Sequence, residues 1–360
     1  MSGPFDPAAL AQSWPPPARR RPVVTIGAGG IVRDAHLPAW RKGGFPVAGL
    51  YDLDRARAEA LAREFQVPAV FRTLAEAAAV PDAVFDLATP PAAHLDVLAA
   101  LPEGATVLLQ KPMGRTLDEA GAILRLCRER RLVAAVNFQL RFAPMMLAVR
   151  DALRRGLLGR LVDVEVHLNL LTPWHLFPFL RGMERVEIAV HSIHYLDLIR
   201  AFLGNPAGVH AHTLGHPAAD LAQTRTSAIL RFGDDVRCTL SINHNHDFGR
   251  RFQDASFRFE GTEGAALVKL GLLLNYPAGE PDELWITDRR GADHWQRVTL
   301  QGGWFPDAFV GRMASLQRAA AGEDAALEGS VADAWHTMAL VESAFRASAQ
   351  PATPVPDRPD

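Results

Sequence analysis

The sequence predicts an α/β protein in two parts: a parallel sheet covered on both faces, followed by an α+β unit built on one large, mostly antiparallel open sheet. Three observations carry this. Short apolar runs alternate with helix-like stretches over the first 140 residues. From about Leu161 onward, strand-like runs follow one another with few helices between them. The 360 residues also exceed what one core usually fills.

In the first part, "PVVTIG" is an apolar run that ends on glycine, and "FPVAGLYD" is a second strand. Residues 54–65, "DRARAEALAREF", have the spacing of an amphipathic helix with Asp54 as its N-cap. "DAVFDLATP" and "ATVLLQKP" are strands ended by Pro90, Pro91 and Pro112. "TLDEAGAILRLCRER" opens with Thr116 and Glu119, a capping-box pair, and "LVAAVNF" is a further strand. Apolar strands alternating with helices imply a parallel sheet between helical layers.

In the second part the helix-like "VEIAVHSIHYLDLIRAFLG" precedes most of the strand runs "LVDVEVHLNL", "GVHAHTL", "TSAILRFG", "VRCTLSINHN", "DASFRFEG", "AALVKL", "ELWITD" and "WQRVTL". Helical stretches return at 306–321 and 331–347. Helices can cover one face of so large a sheet, and the sheet of a second subunit can cover the other. The expected boundaries are an extended arm at 1–21, a first domain at 22–140, a second domain at 141–350 and a loose tail at 351–360. The arm, with Pro15 to Pro17, is read either as lacking fixed structure or as lying on a neighbouring subunit.

Composition excludes several partners. The chain is 48% apolar and 22% charged, with a net charge of -2, so neither nucleic acid nor an anionic membrane is expected to bind. No run is long and apolar enough to span a bilayer, and the start lacks the apolar core of a signal peptide. Cys127 and Cys238 lie far apart and fit no metal or redox motif, which points to a reducing, cytoplasmic setting.

"TIGAGGIVRDAHLPAW" follows the first strand. Gly27 and Gly29 match the first two glycines of a dinucleotide-binding turn: one for the tight turn, one for the approach of a pyrophosphate to a helix N-terminus. The third glycine position is Val32. Gly30 and Ile31 complete the candidate phosphate-facing set. Asp52 ends the second strand, at the spacing where an acid bonds the adenosine ribose hydroxyls. A carboxylate there repels a 2′-phosphate, so NAD is favoured over NADP.

With these residues and with "ATPPAAH", "QKPMGRTLDEA", "NFQLRFAP" and "HSIHYLDLIRAFLG", the chain resembles the glucose–fructose oxidoreductase/inositol dehydrogenase (Gfo/Idh/MocA) family over most of residues 22–347. The resemblance implies a Rossmann domain, an open-sheet second domain used for homodimers or homotetramers, and nicotinamide-dependent oxidation of a sugar or polyol. It places Lys111 beside the nicotinamide and the reacting hydroxyl. The chain has only three lysines, Lys42, Lys111 and Lys269, so a lysine at this position stands out against a strong arginine bias. Relatives usually carry Glu where this chain has Gln110. A neutral Gln110 removes a charge that would hold the lysine proton, so Lys111 either shares base duty or hydrogen-bonds the hydroxyl. The resemblance also brings Thr89 and Pro90 to the cofactor. His94 and Gln110 are counted with them, packing at a helix start being the other use of His94.

Alcohol oxidation needs a base within reach of the hydroxyl, and histidine suits neutral pH. By resemblance the active-site histidine stands three residues before Asp197, which selects His194 as the catalytic partner of Lys111. The acid found four residues before that histidine in similar enzymes is Val190 here. His191 and Glu187 are the candidates to replace it. Asp197 and Arg141 are read as structural. His244 and His246 would share one face if their stretch is a strand, and with His191 and Trp174 they form a substrate-lining set. His175, Phe177 and Trp304 are further stacking candidates. No metal is expected, because the histidine spacing matches no zinc signature. Two alternatives stand beside the dehydrogenase: a glycosidase that uses NAD transiently, and a non-catalytic NAD-binding sensor.

Overall fold

The computed structural model describes residues 6–176, 180–276, 278–289 and 295–355. Its first sheet takes β1 (Val23–Ile26), β2 (Val47–Tyr51), β3 (Val84–Leu87), β4 (Thr106–Leu109) and β5 (Val133–Val136), all parallel, in the order β2-β1-β3-β4-β5. β1, β3 and β4 are buried at every position, which is why they read as unbroken apolar runs.

The helices are α1 (Leu37–Gly43), α2 (Arg55–Phe65), α3 (Leu74–Ala78), α4 (His94–Ala100), α5 (Leu117–Glu129), α6 (Pro144–Arg154), α7 (Ile193–Leu203), α8 (Asp307–Ala320) and α9 (Val331–Ser348). Side chains of α1, α2 and α8 pack with Val23, Leu50, Val84 and Leu108 on one face of the sheet. The other face joins Val24, Phe85, Val107 and Leu109 to α4, α5 and α9. α8 is thus a late element of the chain that closes the early sheet.

The second sheet has β6 (Leu161–Asn169), β7 (Gly208–Leu214), β8 (Arg225–Arg231), β9 (Arg237–Asn243), β10 (Asp254–Gly261), β11 (Gly264–Lys269), β12 (Glu283–Asp288) and β13 (Gln296–Val298), in the order β13-β12-β11-β10-β6-β9-β8-β7. Neighbours are antiparallel except β6 and β9, which run parallel. Alternate residues such as Val164, Val166, Leu168, Phe257 and Phe259 face inward and continue the apolar cluster that covers the first sheet. The outward set includes the exposed His167, Ser241, Arg258 and Glu260.

Two segments depart from regular helix. Val32–His36 and Glu187–Ser192 are π-helical; the first leads into α1 and the second into α7, which carries His194. Pro38 explains the first. It has no N–H to donate and crowds the carbonyl four residues back, so the wider turn before it relieves the clash.

Over residues 6–21 the arm packs on its own chain. Leu10 and Gln12 are buried against the same chain. Gln12 donates to the Thr299 carbonyl at 3.0 Å and accepts the Gln301 N–H at 2.9 Å. Trp14 meets the edge of Phe142, and the Arg150 guanidinium lies over its ring. A leucine, an amide and an indole spaced along a proline-rich strand supply enough burial and pairing to order it. The tail residues 351–355 are exposed coil. Phe177 lies outside the described residues.

Candidate active site

β1 lies between β2 and β3, so the sheet order reverses beside its carboxyl end, where a crevice opens for ligands. Gly27 turns there with φ +106°, and a Cβ on it would stand 2.5 Å from the Ala88 carbonyl oxygen. Only glycine lets the turn pass so close to the end of β3. Apart from Gly29 and its chain neighbours, no atom of the described residues lies within 4 Å of where a Cβ on Gly29 would be. That leaves a cradle at the start of the helical stretch that Gly30 and Ile31 open. Asp52 accepts the Ala28 N–H at 2.6 Å and the Asp54 N–H at 2.8 Å, which pins its carboxylate beside the glycine turn. Val32, at the third glycine position, is fully buried against the sheet.

Thr89 follows β3, and its hydroxyl is buried without a partner among the described residues. Pro90 is exposed and opens the next turn. His94 is fully buried at the start of α4, with Nε2 3.2 Å from the Thr89 carbonyl. Burial pushes its pKa down to about 4. A neutral ring locked to the Thr89 backbone shapes the loop behind the crevice. The tight glycine turn, the open cradle, the neighbouring acid and the orphan hydroxyl together fit a nicotinamide dinucleotide.

Lys111 extends from the end of β4, and its Nζ donates to the Val190 carbonyl at 3.0 Å. The residue that lacks the acid therefore offers its backbone oxygen to the lysine. Burial pushes the Lys111 pKa down to about 8. His194 stands in the first turn of α7 with Nδ1 buried and unpartnered among the described residues. Its ring meets the edges of Phe138 and Trp304, with centroids 6.2 and 6.4 Å away. Burial, then the nearby Lys111 charge, holds His194 well below the usual histidine range. Burial does the same to His191, reinforced by His244, Lys111 and His194.

Trp174, His191 and His244 form one ring cluster, with the two histidine centroids 4.7 Å apart and Trp174 5.3 Å from each. His244 Nδ1 is 2.6 Å from the Thr172 hydroxyl, and Nε2 lies 3.6 Å from Glu187. Glu187 is fully buried and also takes hydroxyl hydrogens from Ser192 and Thr226. It therefore serves His244 and does not stand in for an acid beside His194.

His244 and His246 do not share a strand face. β9 ends at Asn243, whose side-chain oxygen accepts the Asn245 N–H at 3.0 Å and turns the chain. His246 then points toward Asn169 and Phe248, away from the ring cluster. His175 is exposed. The structure thus brings together Lys111, His191, His194, His244, Trp174 and Trp304, and separates His246 from them. A cavity of about 540 Å³ between residues 278–282 and 297–305 shares Trp304 with this cluster but is lined by neither Lys111 nor His194. Among the described residues, no group of three or more His, Cys, Asp or Glu is arranged to hold a metal.

Arg141 and Asp197 form a buried bidentate pair at 2.5 and 2.6 Å. Arg141 also reaches Asp333 at 2.7 Å, and Thr337 donates to Asp197 at 2.9 Å. The pair lies one turn beyond His194 and ties α7 to α9. Sequence reasoning missed a polar chain behind Gln110, made of His36, Asp86 and Asn137. One signal was present: an acid inside the apolar run "AVFDLA" must be paired if the strand is buried.

Comparisons with known proteins agree with this architecture. The family described as an oxidoreductase family with an NAD-binding Rossmann fold matches residues 21–138, and the GFO/IDH/MocA C-terminal domain matches residues 146–267. A 1,5-anhydro-D-fructose reductase of Ensifer adhaerens is 29% identical over 267 residues, which cover 71% of this chain and 77% of that protein. A D-xylose 1-dehydrogenase (NADP(+)) of Haloferax volcanii is 27% identical over 230 residues, 62% of this chain and 68% of the relative. Among solved structures, an oxidoreductase from Agrobacterium radiobacter in complex with NAD+, L-tartaric acid and magnesium superposes with a TM-score of 0.75 at 21% identity, covering 92% of this chain and 97% of that one.

Proposed function

The chain belongs to the GFO/IDH/MocA oxidoreductase family, and from that premise we propose how its own residues carry out the reaction. It is an NAD(P)-dependent oxidoreductase that moves a hydride between a nicotinamide cofactor and a sugar or polyol. Gly27, Gly29, Gly30, Ile31, Asp52 and Thr89 hold the cofactor, which supplies the hydride acceptor when bound. Lys111 and His194 act on the substrate hydroxyl. His194, held neutral, takes the hydroxyl proton on its free Nδ1. The Lys111 ammonium donates to the same oxygen and stabilises the negative charge that develops there.

The observation that carries this reading is the convergence of buried polar atoms without partners. His194 Nδ1, Trp174 Nε1 and Trp304 Nε1 all lie in or against the cluster around Lys111. Buried polar groups are normally paired, and a polyhydroxylated ligand offers the missing partners. A screen of sugars, inositols and aryl glycosides with NAD tests it by absorbance and by released aglycone. NADH formation without aglycone is the expected result. Aglycone release would favour the transient-redox glycosidase, and neither signal would favour the sensor.

Asp52 supports NAD as the preferred cofactor. Its carboxylate is fixed beside the glycine turn, where a 2′-phosphate would meet it. Calorimetric titration is expected to give tighter binding of NAD than of NADP. The reverse order would point instead to Arg55 and Arg57 as phosphate ligands. The uncovered outer face of the second sheet supports a homodimer or homotetramer. Light scattering at micromolar concentration is expected to show one, and a stable monomer would refute it.

A further inference from the structure

We propose that Asp86 and His36 form a positioning relay that sets Gln110 and, through it, the backbone at Lys111. The inference rests on the catalytic reading of Lys111 given above. The Asp86–His36 link lies among groups removed from solvent, and Gln110 and Lys111 are half-buried. Asp86 and His36 are fully buried, one in the middle of β3 and one at the end of the π-helical turn after the glycine loop. His36 Nδ1 is 2.8 Å from Asp86 Oδ2. The Thr25 hydroxyl and the Trp40 indole N–H also donate to Asp86, at 3.1 and 3.3 Å. A carboxylate that takes both of these hydrogens acts as an acceptor, so Nδ1 of His36 carries the hydrogen in that contact.

The other end of the relay is fixed independently. The Lys111 N–H points to Gln110 Oε1 at 2.9 Å. Only the oxygen of an amide can accept that bond, so the Gln110 NH₂ is turned the other way, 3.3 Å from His36 Nε2. That nitrogen must therefore be bare. Asn137 Nδ2 faces the same nitrogen at 3.3 Å. The two ends agree on one arrangement: a neutral His36 with its hydrogen on Nδ1. Phe309 and Trp40 pack around the ring and hold its plane. Hydrogen bonds then run without a break from the Asp86 carboxylate through His36 and Gln110 to the peptide of Lys111. The effect of the relay is to hold the lysine where Nζ reaches the Val190 carbonyl.

Substitutions at the two ends have opposite consequences. In Asp86→Asn the amide oxygen stays at the Oδ2 position to accept from Trp40 and Thr25, and the NH₂ at the Oδ1 position faces His36 Nδ1, so His36 shifts its hydrogen toward Nε2. Gln110 must then turn over, and the Lys111 N–H loses its acceptor. In Gln110→Glu the carboxylate can still accept the Lys111 N–H. Its second oxygen, however, has no hydrogen to give His36, so the ring takes a second proton on Nε2.

The test is long-range proton–nitrogen spectroscopy of histidine-labelled full-length protein, with His36 identified by the signal lost in His36→Gln. Wild type is expected to show neutral His36 with its hydrogen on Nδ1, Asp86→Asn the Nε2–H form, and Gln110→Glu the doubly protonated ring. Amide hydrogen exchange at Lys111 should quicken about fivefold in Asp86→Asn, the factor for one typical hydrogen bond. Val107, Leu108 and Leu109 should keep their protection. An Nε2–H or doubly protonated ring in wild type overturns the proposal. So does an unchanged ring in Gln110→Glu, or a shifted ring in Asp86→Asn with Lys111 exchange unaltered. If Asp86→Asn does not fold, the wild-type and Gln110→Glu spectra still decide. None of these readings needs a substrate, so they stand apart from any failure of the dehydrogenase assignment.

Discussion

Lys111→Met is expected to lower turnover on a proven sugar or polyol by roughly 10²–10⁴-fold, the range for losing a positioned proton-transfer or charge-stabilising group. Methionine keeps most of the apolar stem and removes the donors. NAD affinity should hold, because the glycine turn and Asp52 are untouched. The pH profile makes the test sharper. His194 sheds its proton well below 6.5, and Lys111 keeps its own up to about 8. The working pair is a neutral imidazole beside an ammonium, so turnover should rise through the acid range, level off, and fall above about 8. In Lys111→Met the upper fall should vanish. Stability offers a second readout. The folded lysine gives up its proton before the unfolded one does. Between about 8 and 10.5 the wild type should therefore gain stability as pH rises, and the Met variant should lack that gain. Near-normal turnover in Lys111→Met would reduce Lys111 to a strand-end residue.

The layout of the fold was legible because its strands announce themselves. β1, β3 and β4 are buried on both faces and read as apolar runs, while β8 and β9 alternate and read as half-covered. The glycine turn and its acid were legible for a geometric reason: Gly27 and Asp52 must stand at fixed distances along the chain for the crevice to form. What escaped were pairings across the chain. Nothing in "GAGGIVRDAH" tells that His36 meets Asp86, 50 residues on. The arm was misjudged because proline-rich composition reports a lack of local structure. Gln12 and Trp14 are ordered by partners more than a hundred residues away. The turn after Asn243 was missed because one side-chain bond, Asn243 to the Asn245 N–H, breaks an alternation that otherwise continues. Helical spacing made Glu187 a candidate for the missing acid, and it could not show that Thr226, on another element, would claim it.

Arg141→Met is expected to cost about 3–5 kcal/mol of stability near neutral pH, the usual loss when one partner of a buried ion pair is removed. The guanidinium is the hub between Asp197, fully buried, and Asp333, with Glu328 3.6 Å away. Without it, the Thr337 hydroxyl is the one hydrogen-bond donor left to Asp197 among the described residues, and Asp197 faces the Asp333 charge, which already opposes its ionisation. Asp333 retains Arg200 at 2.8 Å, so the uncompensated charge falls on Asp197. The sign with pH follows. Burial already raises the Asp197 pKa, and removing Arg141 raises it further. The folded variant then binds a proton that the unfolded chain does not, so its deficit should shrink as the solution is acidified toward the ordinary carboxylate range. Urea unfolding of wild type and variant at two pH values measures this. Adding Asp197→Leu to Arg141→Met should recover part of the loss, because the stranded charge is gone. Because Asp197 lies one turn from His194, the single variant should also lose turnover in proportion to its disorder in α7, and the double variant should regain stability before activity. A deficit equal at both pH values, or no recovery in the double variant, would mean that lost packing of the arginine stem, and not an unpaired carboxylate, sets the cost.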